Sequence, residues 1–152
     1  MRNLEELNIN EGGAPPQRAA PAVAAITAFE KKFGLRLPDD LKLLLNFANG
    51  GHPELDAVGG AEGQFGVSRF YHLDDHDHGS ESLWYATEHW RPILGKDALP
   101  FAFDGGNKQF FLDLAVCPPA VKLWVGDELR AVDIAPSFEQ FIDSLDMDPD
   151  MI

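Results

Sequence analysis

Apolar residues recur at helical spacing through the first third of the chain. Ala22, Ile26, Phe29 and Phe33 share one face of a helix expected to start near Pro21, where a missing N–H costs nothing. Gly34 is placed to cap its C-terminus. Leu37-Pro38-Asp39-Asp40 then launches a second helix, with its acids at the positive end of the dipole. Leu41, Leu44, Leu45 and Ala48 fall at i, i+3, i+4 and i+7, and Leu43 and Phe47 widen that apolar arc, so deep burial is expected. Asn49-Gly50-Gly51 supplies left-handed residues that stop the helix.

The pattern then changes period. Residues 52 to 63 read as a loop. Phe65-Gly66-Val67 and Phe70-Tyr71-His72-Leu73 read as short strands, and His72 to Gly79 as an exposed polar stretch. Glu81 to Trp90 reads as a short helix that Pro92 forbids from continuing. Phe101-Ala102-Phe103 and Lys108 to Leu114 flank Asp104-Gly105-Gly106-Asn107, a pair of strands around a tight turn. Val121 to Val125 and Leu129 to Ile134 extend these into an antiparallel meander. Ser137-Phe138-Glu139-Gln140 is a capping box, and Phe138, Phe141, Ile142 and Leu145 carry helical spacing after it. The fold class is α+β, a mainly antiparallel sheet with N-terminal and C-terminal helices packed on it. The expected divisions are a loose arm over 1–18, one domain over 19–146 and an acidic, fraying tail over 147–152. Asp146 is expected to begin that fraying.

Composition narrows the function. The chain has 152 residues, 45% of them hydrophobic and eleven of them Phe, enough for one packed core. No apolar run approaches the roughly 20 residues of a membrane span. The acidic start, Met1-Arg2-Asn3-Leu4-Glu5-Glu6, has no apolar segment of the secretory kind. Cys117 is the only cysteine, which excludes an internal disulfide and makes a reducing cytoplasm the expected compartment. Twelve Lys and Arg against 25 Asp and Glu leave a formal charge of −13. Such a chain is a poor partner for nucleic acid or an anionic membrane, and it attracts basic proteins. The same acidity also serves plain solubility.

Few residue clusters offer chemistry. His72, His76 and His78, interleaved with Asp74, Asp75 and Asp77, are weak candidates for a divalent metal; a solvated acidic loop is the plainer reading. Cys117 sits beside Pro118-Pro119 without a nucleophile signature and reads as an inert small apolar residue. Gly59-Gly60-Ala61-Glu62-Gly63 lacks the Lys-Ser/Thr ending of a phosphate loop and carries a carboxylate. No catalytic residue and no cofactor is expected. Trp84, Tyr85 and Trp90 are either core or interface aromatics.

Phe29-Glu30, Phe33-Gly34, Leu37-Pro38-Asp39-Asp40 and Asn49-Gly50-Gly51 stand in order before a second set of motifs. These are Leu99-Pro100-Phe101-Ala102-Phe103-Asp104-Gly105-Gly106, Phe111-Leu112-Asp113 and Ser137-Phe138-Glu139-Gln140-Phe141. In this order and spacing, residues 22 to 146 resemble the SUKH superfamily, in its branch typified by the fungal cell-wall-synthesis regulator domain. Asn107 stands where many relatives carry glycine or another small residue. The resemblance implies an α+β fold with a mainly antiparallel sheet and no catalysis. It implies either a cytoplasmic immunity protein that neutralises a cognate, often nuclease-type, toxin, or a regulatory or scaffold module that binds an endogenous protein. The recognisable motifs are scaffold positions, so the docking residues come from charge instead: Asp74, Asp75, Asp77 and Glu81, a stretch without Lys or Arg, with Trp84 or Tyr85 as aromatic anchor. A metal-dependent hydrolase using the three histidines is the remaining reading.

Overall fold

A computed structural model describes residues 1–10, 18–60 and 63–147. A short 3-10 helix, Leu4–Leu7, precedes helices α1 (Val23–Phe33) and α2 (Asp39–Phe47). Strands β1 (Ala57–Gly60), β2 (Gly63–Gly66) and β3 (Arg69–Phe70) follow, then helix α3 (Leu83–Leu94). The chain closes with β4 (Ala98–Phe103), β5 (Gln109–Asp113), β6 (Ala120–Val125), β7 (Arg130–Ala135) and α4 (Phe138–Ser144). Strands β3 to β7 form one antiparallel sheet in sequence order, while β1 and β2 pair separately as a hairpin. The α+β class and the meander expected from the alternating pattern are therefore observed.

Register explains the burial. Leu99 opposes Leu112, Phe110 opposes Leu123, and Leu112 opposes Val121, so apolar side chains stack across the sheet on one face. In β6, Val121, Leu123 and Val125 are buried while Ala120, Lys122 and Trp124 are half-buried. Pro100 cannot donate to the ladder, and the β4–β5 pairing shifts just beyond it, between Pro100 and Ala102. The core centres on packed rings: Phe101 meets Phe138 at 5.2 Å and Phe141 at 5.3 Å edge to face, and Phe110 lies tilted against Phe141 at 5.6 Å.

The caps of α1 and α4 are those the sequence announces, whereas α2 ends on an extended Ala48, ahead of the expected Asn49-Gly50-Gly51. Gly34 adopts φ +64° after α1. Ser137 Oγ accepts from the Gln140 amide at 3.1 Å. In the β4–β5 turn, Asp104 Oδ1 accepts from the amides of Gly106 and Lys108, and Asn107 takes the left-handed φ of +64°.

Several expectations are corrected. Leu43 and Phe47 are 53% and 45% exposed. At about 100° per residue they lie about 200–240° around α2 from Leu41, on the side away from the buried Leu41, Leu44 and Leu45. The loop expected over 52–63 contains β1 and the start of β2; its glycines hid a hairpin. Pro92 does not end α3, which runs to Leu94. Pro92 and Glu88 both lie on the exposed side, where solvent can satisfy the carbonyl that proline leaves free. Asp146 does not fray: it exchanges both backbone hydrogen bonds with Ala57, at 2.9 and 3.0 Å. The rest of the expected tail beyond Met147 lies outside the described residues.

The largest correction concerns the arm. Its first ten residues are docked, with Leu7 and Ile9 buried in the core. Arg2 Nη1 donates to the carbonyls of Ile142 (3.2 Å) and Leu145 (2.7 Å), at the negative end of α4. Asn10 closes the docking: its Nδ2 donates to the Gly50 carbonyl and its Oδ1 accepts from the His52 amide. Gly51 makes this approach possible. It has φ +122°, and a Cβ there would lie 2.0 Å from Asn10 Nδ2. The expected breaker Gly12-Gly13-Ala14-Pro15-Pro16 lies outside the described residues.

Candidate functional site

The acidic stretch is built as a stiff turn. Asn49, buried behind it, accepts from the Leu73 amide (2.8 Å) and donates to the carbonyls of Leu73 (2.9 Å) and Ala19 (3.0 Å). The breaker after α2 thus anchors the strand that enters the site. His72 continues that strand as a parallel bridge to Ser82: its amide donates to Glu81, and Leu83 donates back to its carbonyl. Between these anchors, Asp74 Oδ1 accepts from the His76 amide (2.8 Å) and Asp77 Oδ1 accepts from the Gly79 amide (2.9 Å). Ser82 Oγ accepts from the Trp84 amide and starts α3.

The carboxylates have distinct surroundings. Asp75 is exposed, with no ion pair among the described residues, and Glu81 is exposed and paired with Arg69 at 3.2 Å. Arg18 Nη2 lies 2.8 Å from Asp77 Oδ2, and its Nη1 lies 3.6 Å from Asp74 Oδ2. A stretch free of Lys and Arg in sequence therefore receives two arginines through space. The Gly79 amide is the main influence holding the Asp77 carboxyl below its ordinary pKa, with Arg18 adding in the same direction.

The aromatics divide. Trp84 packs edge-on to Phe29 at 5.4 Å, close to Phe33, and stacks on His78 at 4.6 Å. Only Tyr85 projects, 44% exposed, with its ring stacked on His89 at 5.5 Å. Trp90 is half-buried against the core.

The three histidines do not converge. His72 is buried against Asp77, His78 lies on Trp84, and His76 is exposed. No three His, Cys, Asp or Glu side chains among the described residues form a set able to hold a metal. Burial pushes the His72 imidazole below its ordinary value of 6.5; Arg18 adds to the shift, and Asp77, Asp74 and Glu81 oppose it. Its Nδ1 has no hydrogen-bond partner among the described residues. A depressed folded-state pKa means that the unfolded chain takes the proton first, so this contribution to stability is complete above about pH 6.5 and is lost as pH falls below it. Denaturant unfolding at pH 7.5 and pH 5.5 is expected to show a larger loss for the wild type than for His72→Gln. Equal losses would show that His72 is not held neutral by the fold.

Cys117, expected as an inert small apolar residue, is exposed. It borders a groove of about 960 Å³ between the α1–α2 turn, the end of α3 and the β5–β6 connection, where Arg36, Asp40, Arg91 and Asp97 mix their charges. Sequence reasoning missed Arg18, Asn49 and this groove, because each depends on segments distant in the chain. No described helix is long and apolar enough to cross a membrane.

No curated protein matches the sequence. Residues 21–144 match the model of the SMI1 / KNR4 family (SUKH-1). That span runs from the start of α1 to the end of α4, and so covers both helical ends of the fold and the whole meander. The chain belongs to the SMI1 / KNR4 family, SUKH-1.

Proposed function

We propose that this protein is a cytoplasmic immunity protein that binds and neutralises a cognate toxin of the nuclease type, docking through the turn at 74–81. Membership in its family is compatible with an immunity or regulatory protein-binding domain. The observation that carries the choice of surface is a frame of backbone hydrogen bonds that presents Asp75 and Glu81 to solvent and fixes Asp74 and Asp77. A preordered acidic surface on a chain of charge −13 steers a basic partner and loses little entropy on docking. A nuclease active surface is basic because its substrate is a polyanion, so the complementarity is direct. Tyr85, in the first turn of α3, supplies the exposed aromatic at the edge of the patch.

Co-expression tests the reading. A candidate secreted nuclease-type toxin from the same genome is produced in a sensitive host with and without this chain. Growth is expected only when both are made. Unchanged killing in the presence of the folded chain would sink the proposal.

A further inference from the structure

We infer that the Asp74–Asp77 pair is a receptor for a guanidinium group, held by Arg18 in the free chain, and that an arginine of the basic partner takes Arg18's place on docking. The inference rests on the docking reading above and adds the chemistry of the contact and an internal competitor.

Four observations carry it. First, Arg18 reaches both carboxylates with two nitrogens of one planar fork, Nη2 to Asp77 and Nη1 to Asp74. This is the geometry that distinguishes arginine from the point charge of lysine. Second, the receptor does not depend on its occupant. The Asp74–His76, Asp77–Gly79 and Asn49–Leu73 bonds hold the turn without Arg18, which comes from 59 residues away. Third, the pairing is half-exposed, with about 37% of the Arg18 side chain and 35% and 39% of the two aspartates accessible. A half-exposed ion pair is weak enough to exchange.

Fourth, His72 lies beside the site with unmet capacity. It is only 4% exposed, its ring makes no hydrogen bond among the described residues, and the nitrogen that faces the pair, Nε2, lies 3.7 Å from Asp77 Oδ2, beyond hydrogen-bond reach. A neutral imidazole next to two carboxylates is matched by a donor-rich cation. Guanidinium brings five N–H groups, and Arg18 donates to Asp77 while making no hydrogen bond to the Nε2 that faces the pair.

Exchange of one guanidinium for another avoids leaving the aspartates unpaired. It also means that Arg18 lowers the apparent affinity for a partner by the fraction of molecules in which the receptor is already filled. The device sets a threshold: a lone cation displaces Arg18 poorly, whereas an arginine held within a larger docking surface displaces it readily.

The test uses N-acetyl-arginine amide and N-acetyl-lysine amide as probes, titrated into the full chain and followed by NMR at the His76 and Gly79 amides. Arg18→Ala is expected to bind the arginine probe about threefold to fivefold more tightly than the wild type. Arg18→Lys should fall between them, and the lysine probe should be the weaker ligand throughout. The His72 imidazole should also titrate higher in Arg18→Ala, since Arg18 now depresses it. Equal affinity in wild type and Arg18→Ala, equal binding of the two probes, or shifts that bypass His76 and Gly79 would overturn the inference. The titration contains no protein partner, so its result is independent of the co-expression result.

Discussion

Phe141→Ala is expected to lower the stability of the fold by about 3–5 kcal/mol. Phe141 has no exposed surface, and its ring touches Phe101, Phe110 and Phe138, which join β4, β5 and α4. Removing it opens a cavity bounded by rings on two strands and one helix. Those rings cannot all relax into the space at once. A domain of this size is stable by only about 5–15 kcal/mol, so the loss is a large share of the total. Denaturant unfolding measures it: the midpoint should fall while the slope with denaturant stays constant. Leu129→Ala, at a position 78% exposed, should be nearly silent in the same assay. A loss under about 1 kcal/mol for Phe141→Ala would mean that the ring cluster is not the centre of the core.

Reversing Asp74, Asp75 and Asp77 together to lysine is expected to weaken binding of the proposed toxin partner by about a hundredfold or more. Close charge pairs across an interface can couple strongly, and like charges brought together add repulsion. Most of the rim contribution should appear in the association rate and vanish at high salt. Asp74 and Asp77 also hold the turn through the His76 and Gly79 amides, so the triple variant changes both charge and frame. Asp75→Lys with Glu81→Lys separates the two, since neither side chain accepts a bond in that frame. This pair should cost about tenfold through charge alone. Unchanged affinity in both variants would remove the acidic turn as the interface.

Much of the fold is legible in local pattern. The 3.6-residue spacing of Leu41, Leu44 and Leu45, the alternation through β6 and the Ser137 cap each report a force acting within a few residues. The misreadings have a shared cause. Leu43 and Phe47 read as core because they are apolar, although the helix turns them outward. Pro92 reads as a helix stop, yet on an exposed face solvent replaces the hydrogen bond it forfeits. Leu7 and Ile9 precede a Gly-Pro-rich break and show no periodicity; they are fixed by Asn10 meeting Gly51 across the fold. The acidity of the site is legible, but its architecture is not. Nothing in the order of residues brings Arg18 to Asp74 and Asp77, or Asn49 behind Leu73.

Calorimetric titration of this protein with the purified toxin against which it protects in co-expression, at 50 mM and 500 mM salt, tests the central claim most directly. The account predicts a one-to-one complex at low salt whose affinity falls by about tenfold or more at high salt. No heat of binding at low salt, or an affinity that salt leaves untouched, would contradict it.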